Sequence, residues 1–171
     1  FVHLKIMSLV YGKESEYVSW KAQSCFQLIK YEDIKEDNSA GWVHTDNSSA
    51  LTSIIYLTPG KTNTGTNLYK PKKTGFQPDK DETFLKLIGD EKLNYYKSGM
   101  ASENYRKKQL DFNNNFQKLV TVNSEYNSIL CFDGGYYHNA EWDLKPGEER
   151  LTFITFFNRI NAPWYSIPEM R

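Results

Sequence analysis

A chain of 171 residues has the size of one domain with its own core, and 10 Phe, 12 Tyr and 4 Trp exclude a disordered tail. The 21 basic and 21 acidic residues cancel, so no global field draws the chain to nucleic acid or to an anionic membrane. No apolar run approaches the roughly 20 residues of a membrane helix, and no signal-peptide pattern opens the chain, which leads to the expectation of a cytoplasmic protein. Because the chain begins at Phe1, a leading segment is expected to precede it.

Short β-type runs follow one another, separated by turn residues. They are 23-QSCFQLIKY-31, 42-WVHTD-46, 51-LTSIIYLT-58, 65-GTNLY-69, 116-FQKLVTV-122, 127-NSILCF-132, 136-YYHNA-140 and 151-LTFITFF-157. Pro59-Gly60, Asp133-Gly134-Gly135 and Pro146-Gly147 punctuate them. Eight short strands are the complement of a jelly roll, so the expected fold is an all-β, cupin-like core. The stretch 70–115 reads differently, as a partly helical insertion. Asp79 can cap a helix with Glu82 three places on and Gly89 at its end, and 101–112 is a second, very polar helix. Lid and solvated decoration are both open for this stretch. Cys25 and Cys131 lie in apolar runs outside any C-x-x-C pair and are expected as buried free thiols.

Three signals bear on chemistry. In a strand, His44 and Asp46 would project to one side, as two ligands of one ion must. A histidine bonded to its neighbouring acid is the bland reading of that pair alone. His138 follows the Gly134-Gly135 turn on another expected strand and would complete two histidines and one carboxylate. This is the facial donor set that leaves open positions on Fe(II), with zinc as the physical competitor. Arg150 opens the last strand with Thr152 on the same face. A guanidinium there needs an anion, either Glu148 or Asp143 of the chain or the carboxylate of a ligand. His3 lies far from all three signals and is expected to have no chemical role.

The order His-x-Asp, His, Arg-x-Thr resembles the Fe(II)/2-oxoglutarate-dependent dioxygenases, in particular their prolyl-4-hydroxylase-like branch. The resemblance covers about 23–69 and 116–158, carried by 44-HTDN-47, 56-YLTPG-60, 65-GTNLY-69 and the block from Phe132 to Phe157. It implies a double-stranded β-helix in which His44, Asp46 and His138 hold Fe(II). Arg150 would bind the far carboxylate of 2-oxoglutarate with Thr152 in support. Tyr56 would add a hydroxyl or pack as a core aromatic, Tyr69 would face the cavity or pack in the core, and Asn139 would be an outer contact or a surface amide. The implied activity consumes O2 and 2-oxoglutarate, hydroxylates a C–H bond of a peptidyl or small-molecule substrate, and releases succinate and CO2. The aspartate at position 46 implies hydroxylation, because related halogenases have a small residue there.

The long gap between His44 and His138 and the single glycine of 65-GTNLY-69 depart from the family pattern. Neither touches an implied ligand. A cupin-like metal enzyme without 2-oxoglutarate and a non-catalytic jelly-roll module stay open as alternatives. The lysines of 70-KPKK-73 and 106-RKK-108 are most simply a solvated surface, and a nucleic-acid partner is not expected. Trp42, Trp142 and Trp164 are expected in the core, and 161–171 as a strap over it.

Overall fold

The computed structural model describes residues 1–34, 41–76, 78, 103–141 and 143–162. The chain opens with helix α1 (Val2–Tyr11) and a 3-10 turn (Gly12–Tyr17), then β1 (Ser19–Lys30) and one helical turn, α2 (Tyr31–Ile34). Then come β2 (Leu51–Tyr56), β3 (Lys61–Pro71), helix α3 (Glu103–Asn113), β4 (Phe116–Glu125), β5 (Ile129–Phe132), β6 (Tyr137–Glu141) and β7 (Glu149–Asn161).

The strands form two antiparallel sheets, ordered β1-β7-β2-β5 and β4-β3-β6, and among the described residues neither closes into a barrel. Apart from β3 and β4, the paired strands are not consecutive in the chain, so connections cross between the sheets, and the β-branched and aromatic residues of β2 and β7 suit a buried pleated face. The sheets face each other: Leu68 of β3 packs against a cluster of Ile54, Tyr56, Phe132 and Ile154 from the other sheet. The Tyr56 hydroxyl also meets the Thr66 hydroxyl across the gap at 2.8 Å.

Alternation along β7 puts Arg150, Thr152, Ile154 and Phe156 on the inner face and Phe157 on the outer one. Helix α1 covers that outer face. Its Ile6 and Met7 are buried against Leu51, Phe157 and Ile160, and Gly12 takes up φ 61° where the helix ends. This helix carries no strong start signal and was not expected from the sequence. On the far side, α3 brings Tyr105 and Phe112 against Trp42, Val43 and Phe116.

Most expected strands are present, with several longer than expected. β3 runs from Lys61 rather than 65, and β7 extends to Asn161. The expected strand at 42–46 is not one. Only His44 makes a bridge, to His138, because the flanking positions bond to turns and side chains instead of to a ladder. The polar helix expected at 101–112 is α3, whereas the helix expected from Asp79, together with Trp142, Trp164 and most of the 161–171 strap, lies outside the described residues. Cys25 is exposed, because β1 is an edge strand, and Cys131 is half-buried, with burial raising its thiol pKa. Both are free thiols. No helix among the described residues is long and apolar enough to cross a membrane.

A candidate metal centre beside a buried arginine

His44 and His138 exchange both backbone hydrogen bonds, at 3.0 and 2.8 Å. Two residues on, the Asp46 N–H donates to the Gly134 carbonyl at 2.7 Å. That bond needs close approach: a Cβ on Gly134 would stand 2.1 Å from the Ser49 carbonyl oxygen. The turn glycine and the bridge therefore place His44, Asp46 and His138 together, although 42–46 is no strand. One ligand atom from each lies within 4.8 Å of the other two, a group able to hold a metal ion.

Side-chain bonds orient the three groups. His44 Nδ1 donates to the Trp42 carbonyl at 2.8 Å, and His138 Nδ1 donates to the Tyr136 carbonyl at 2.9 Å. A carbonyl only accepts, so each Nδ1 carries the hydrogen, and in the neutral rings each Nε2 keeps its lone pair. Those Nε2 atoms face the two oxygens of Asp46, at 3.9 Å from His44 and 3.5 Å from His138. Asp46 Oδ2 also accepts from the Thr52 hydroxyl at 2.6 Å. Outer bonds of this kind fix ligand tautomer and orientation in metal sites. His44 is the open member, with its side chain 49% exposed against 12% for Asp46 and 8% for His138.

The segment before His44 is clamped by the end of α3. Asn113 accepts from the Val43 N–H at 2.9 Å and donates to the Gly41 carbonyl at 2.8 Å. No reading of the sequence pointed to Asn113, since its partner segment is 70 positions away.

The triad shares a cavity of about 260 Å³ with Arg150, Gln27, Thr66, Tyr105, Gln109 and the apolar Ile54, Ile154 and Phe156. Arg150 is 2% exposed. Its Nη1 reaches Gln27 Oε1 at 3.5 Å and its Nη2 the Gly65 carbonyl at 3.4 Å, both at the edge of hydrogen-bond range. Its Nε has no partner. The guanidinium lies 5.6 Å from the Tyr56 ring centre, a cation–π contact. Burial lowers its pKa, with Tyr56 opposing. Among the described residues, no carboxylate pairs with Arg150. Glu148, one of the two partners the sequence offered, accepts instead from the Lys145 N–H in the preceding turn.

Of the other sequence candidates, Tyr56, Thr152, Tyr69 and His3 stand behind or away from this cavity, and Asn139 lines it. Tyr56 is 1% exposed, spends its hydroxyl on Thr66, and has a raised pKa from burial. Thr152 is fully buried, and its hydroxyl donates to the Gln27 carbonyl at 3.5 Å. Both support the inner face around Arg150 and do not line the cavity. Tyr69 points to the outer face of its sheet and donates to Asn139 Oδ1 at 3.1 Å; its pKa is raised by burial and by Glu141. Asn139, expected only as an outer contact, does line the cavity and donates to the Gly41 carbonyl at 3.3 Å. His3 is elsewhere, with Nε2 against the Ser24 hydroxyl at 2.8 Å.

Two facing antiparallel sheets, with two histidines, a carboxylate and a buried arginine around one cavity, define a β-protein with a candidate metal centre. A model described as a family of unknown function, DUF6445, matches residues 22–157, and the chain belongs to that family. Neither a curated protein nor a solved structure matches the chain.

Proposed function

We propose that this protein is an Fe(II)- and 2-oxoglutarate-dependent oxygenase that hydroxylates a C–H bond, and that its two sheets are the halves of a jelly roll. The observation that carries the reading is Arg150. A buried guanidinium without a carboxylate is costly, and this one stands in the same cavity as two histidines and an aspartate. A metal enzyme that needs no anionic co-substrate has no use for it there.

The donor set fits such an ion. Ligands sharing one ion sit roughly 3–4 Å apart at metal–nitrogen distances near 2.1 Å. The three ligand atoms lie within 4.8 Å of one another, with contacts of 3.9 and 3.5 Å to the two oxygens of Asp46, so a shared ion would draw them closer by side-chain rotation. His44 and His138 would bind through Nε2, since each Nδ1–H is already donated, and Asp46 through one oxygen of the carboxylate that Thr52 orients by its bond to Oδ2. Two imidazoles and one carboxylate leave open positions, the pattern of non-haem Fe(II) oxygenases. Bound iron and 2-oxoglutarate would supply the oxidising chemistry.

The chain's own residues do the rest. Arg150 takes the far carboxylate of 2-oxoglutarate through paired N–H donors, with its unmet Nε as one available donor. Tyr56 and Thr152 hold the guanidinium's surroundings in place. Ile54, Ile154 and Phe156 exclude water from the space between carboxylate and metal. The cavity lies below the roughly 300–1,000 Å³ of drug-sized pockets, so beside a co-substrate it admits a group of side-chain size. That suits a peptidyl or small-molecule substrate.

The test is anaerobic titration with Fe(II) and then 2-oxoglutarate, following the visible charge-transfer band of the chelate. The expected result is a band in the wild type, lost in His138→Ala and moved to much higher 2-oxoglutarate in Arg150→Ala. Metal binding without a band would instead favour a metal enzyme of another class. No metal binding would reject an enzyme at this site.

A further inference from the structure

The cavity that holds Arg150 is lined as well by α3 and the segment before His44. Tyr105, Gln109 and Phe112 recur at helical spacing on one side of α3, and all three are buried. Tyr105 and Phe112 pack around Trp42, and Tyr105 accepts the Trp42 indole N–H at 2.8 Å. Gln109 lies between them in sequence, lines the cavity and is 2% exposed, yet its side-chain oxygen has no hydrogen-bond partner. Native structures rarely leave a buried acceptor unmet, because it loses its water and gains nothing in return. An amide kept in that position on an aromatic face, where a leucine or methionine would pack without cost, marks a place where a partner arrives from outside.

We infer that Gln109 is the specificity-determining anchor for the substrate, and that it receives a neutral carboxamide. The inference rests on the function proposed above, and names the substrate class for that site. Its chemistry follows from the lining. Among the described residues the only carboxylate there is Asp46, which belongs to the metal group, so none of them is left to recognise a cation. Arg150, the one cation among the described lining residues, is assigned to the co-substrate, so these residues provide for no second anion. A glutamine side chain carries an acceptor oxygen beside an N–H2 donor. Its complement is a group with a donor beside an acceptor, which a carboxamide supplies in two parallel hydrogen bonds. Arg150 and Gln109 line the same cavity as the triad, the arrangement needed to hold one molecule by its carboxylate and a second by its amide.

Propionamide and butanone are the probes. They are isosteric, and only the first has N–H donors. Binding of each to the wild type and to Gln109→Met, both supplemented with Zn(II), is measured by ligand-observed NMR, with thermal melting of both proteins alongside. The wild type is expected to prefer propionamide by about tenfold, the worth of roughly one good hydrogen bond. Gln109→Met is expected to lose that preference while melting no lower than the wild type. Equal binding of the two probes by the wild type overturns the inference. So does a preference that survives in Gln109→Met, or a variant melting several degrees lower, which would give Gln109 a structural role. A capped alanyl-glutaminyl-alanine peptide in the same titration identifies the source of the amide. Tighter binding of the peptide than of propionamide assigns it to a polypeptide side chain, and the reverse to a free small molecule. Because these measurements need neither iron nor 2-oxoglutarate, their failure is separate from the absence of the charge-transfer band, which would reject the oxygenase reading instead.

Discussion

Replacing Arg150 by methionine tests whether the guanidinium is there for a ligand or for the fold. The side chain is 2% exposed, and taking an uncompensated cation out of water costs several kcal/mol even after relaxation. The chain returns part of that. The Tyr56 ring at 5.6 Å contributes about 1–2 kcal/mol, and the bonds at 3.4 and 3.5 Å contribute together about 1 kcal/mol. The balance leaves the unliganded protein about 1–3 kcal/mol less stable than one with an apolar side chain of similar volume. Arg150→Met is therefore expected to melt about 2–12 °C higher than the wild type, at 2–4 °C per kcal/mol for a chain of this size. With Zn(II) as an inert ion and 2-oxoglutarate at about 100 times its Kd, the wild type gains about 2.7 kcal/mol, and the variant gains nothing. Calorimetric melting with and without 2-oxoglutarate reads both effects. A variant that melts markedly lower without ligand, or that keeps the same 2-oxoglutarate shift, would refute the reasoning and make Arg150 a structural cation.

Three further outcomes follow from named contacts. Gly134→Ala forces a Cβ to 2.1 Å from the Ser49 carbonyl oxygen, so it is expected to cost about 1–3 kcal/mol and to weaken divalent-metal binding, because the Gly134 carbonyl holds Asp46; urea unfolding and metal titration check both. Asn113→Ala releases Gly41 and Val43 and is expected to weaken metal binding about tenfold by loosening the segment that carries His44, read by competition with a chelating dye. In alkali, Tyr11, Tyr56 and Tyr69 have folded pKa values raised above the ordinary 10.0, mainly by burial. A raised value means the folded state holds its proton more tightly, so that stability is intact below pH 10 and is lost as pH rises further. Unfolding followed by tyrosinate absorbance should show that loss, and Tyr56→Phe should lessen its slope.

Much of this protein was legible in the order of residues. Period-two alternation and turn chemistry depend on neighbours, so β2, β4, β5, β6 and β7 were located close to their observed positions. The polar helix α3 was located as well, but its overall polarity concealed the inward face of Tyr105, Gln109 and Phe112, which only the packing revealed. Residue chemistry alone also singled out His44, Asp46, His138 and Arg150, because few residue types form that set. What required tertiary structure was every relation between distant segments. His44 meets His138 through a single bridge instead of a strand ladder, Asp46 hangs from the carbonyl of Gly134, and Asn113 fastens the approach to His44. That no carboxylate among the described residues pairs with Arg150 was equally invisible, since Glu148 and Asp143 are close in sequence and only packing decides where an acid points. Local patterns report what a segment prefers. Which groups share a cavity, and which of them are left without partners, is decided by contacts between segments far apart in the chain.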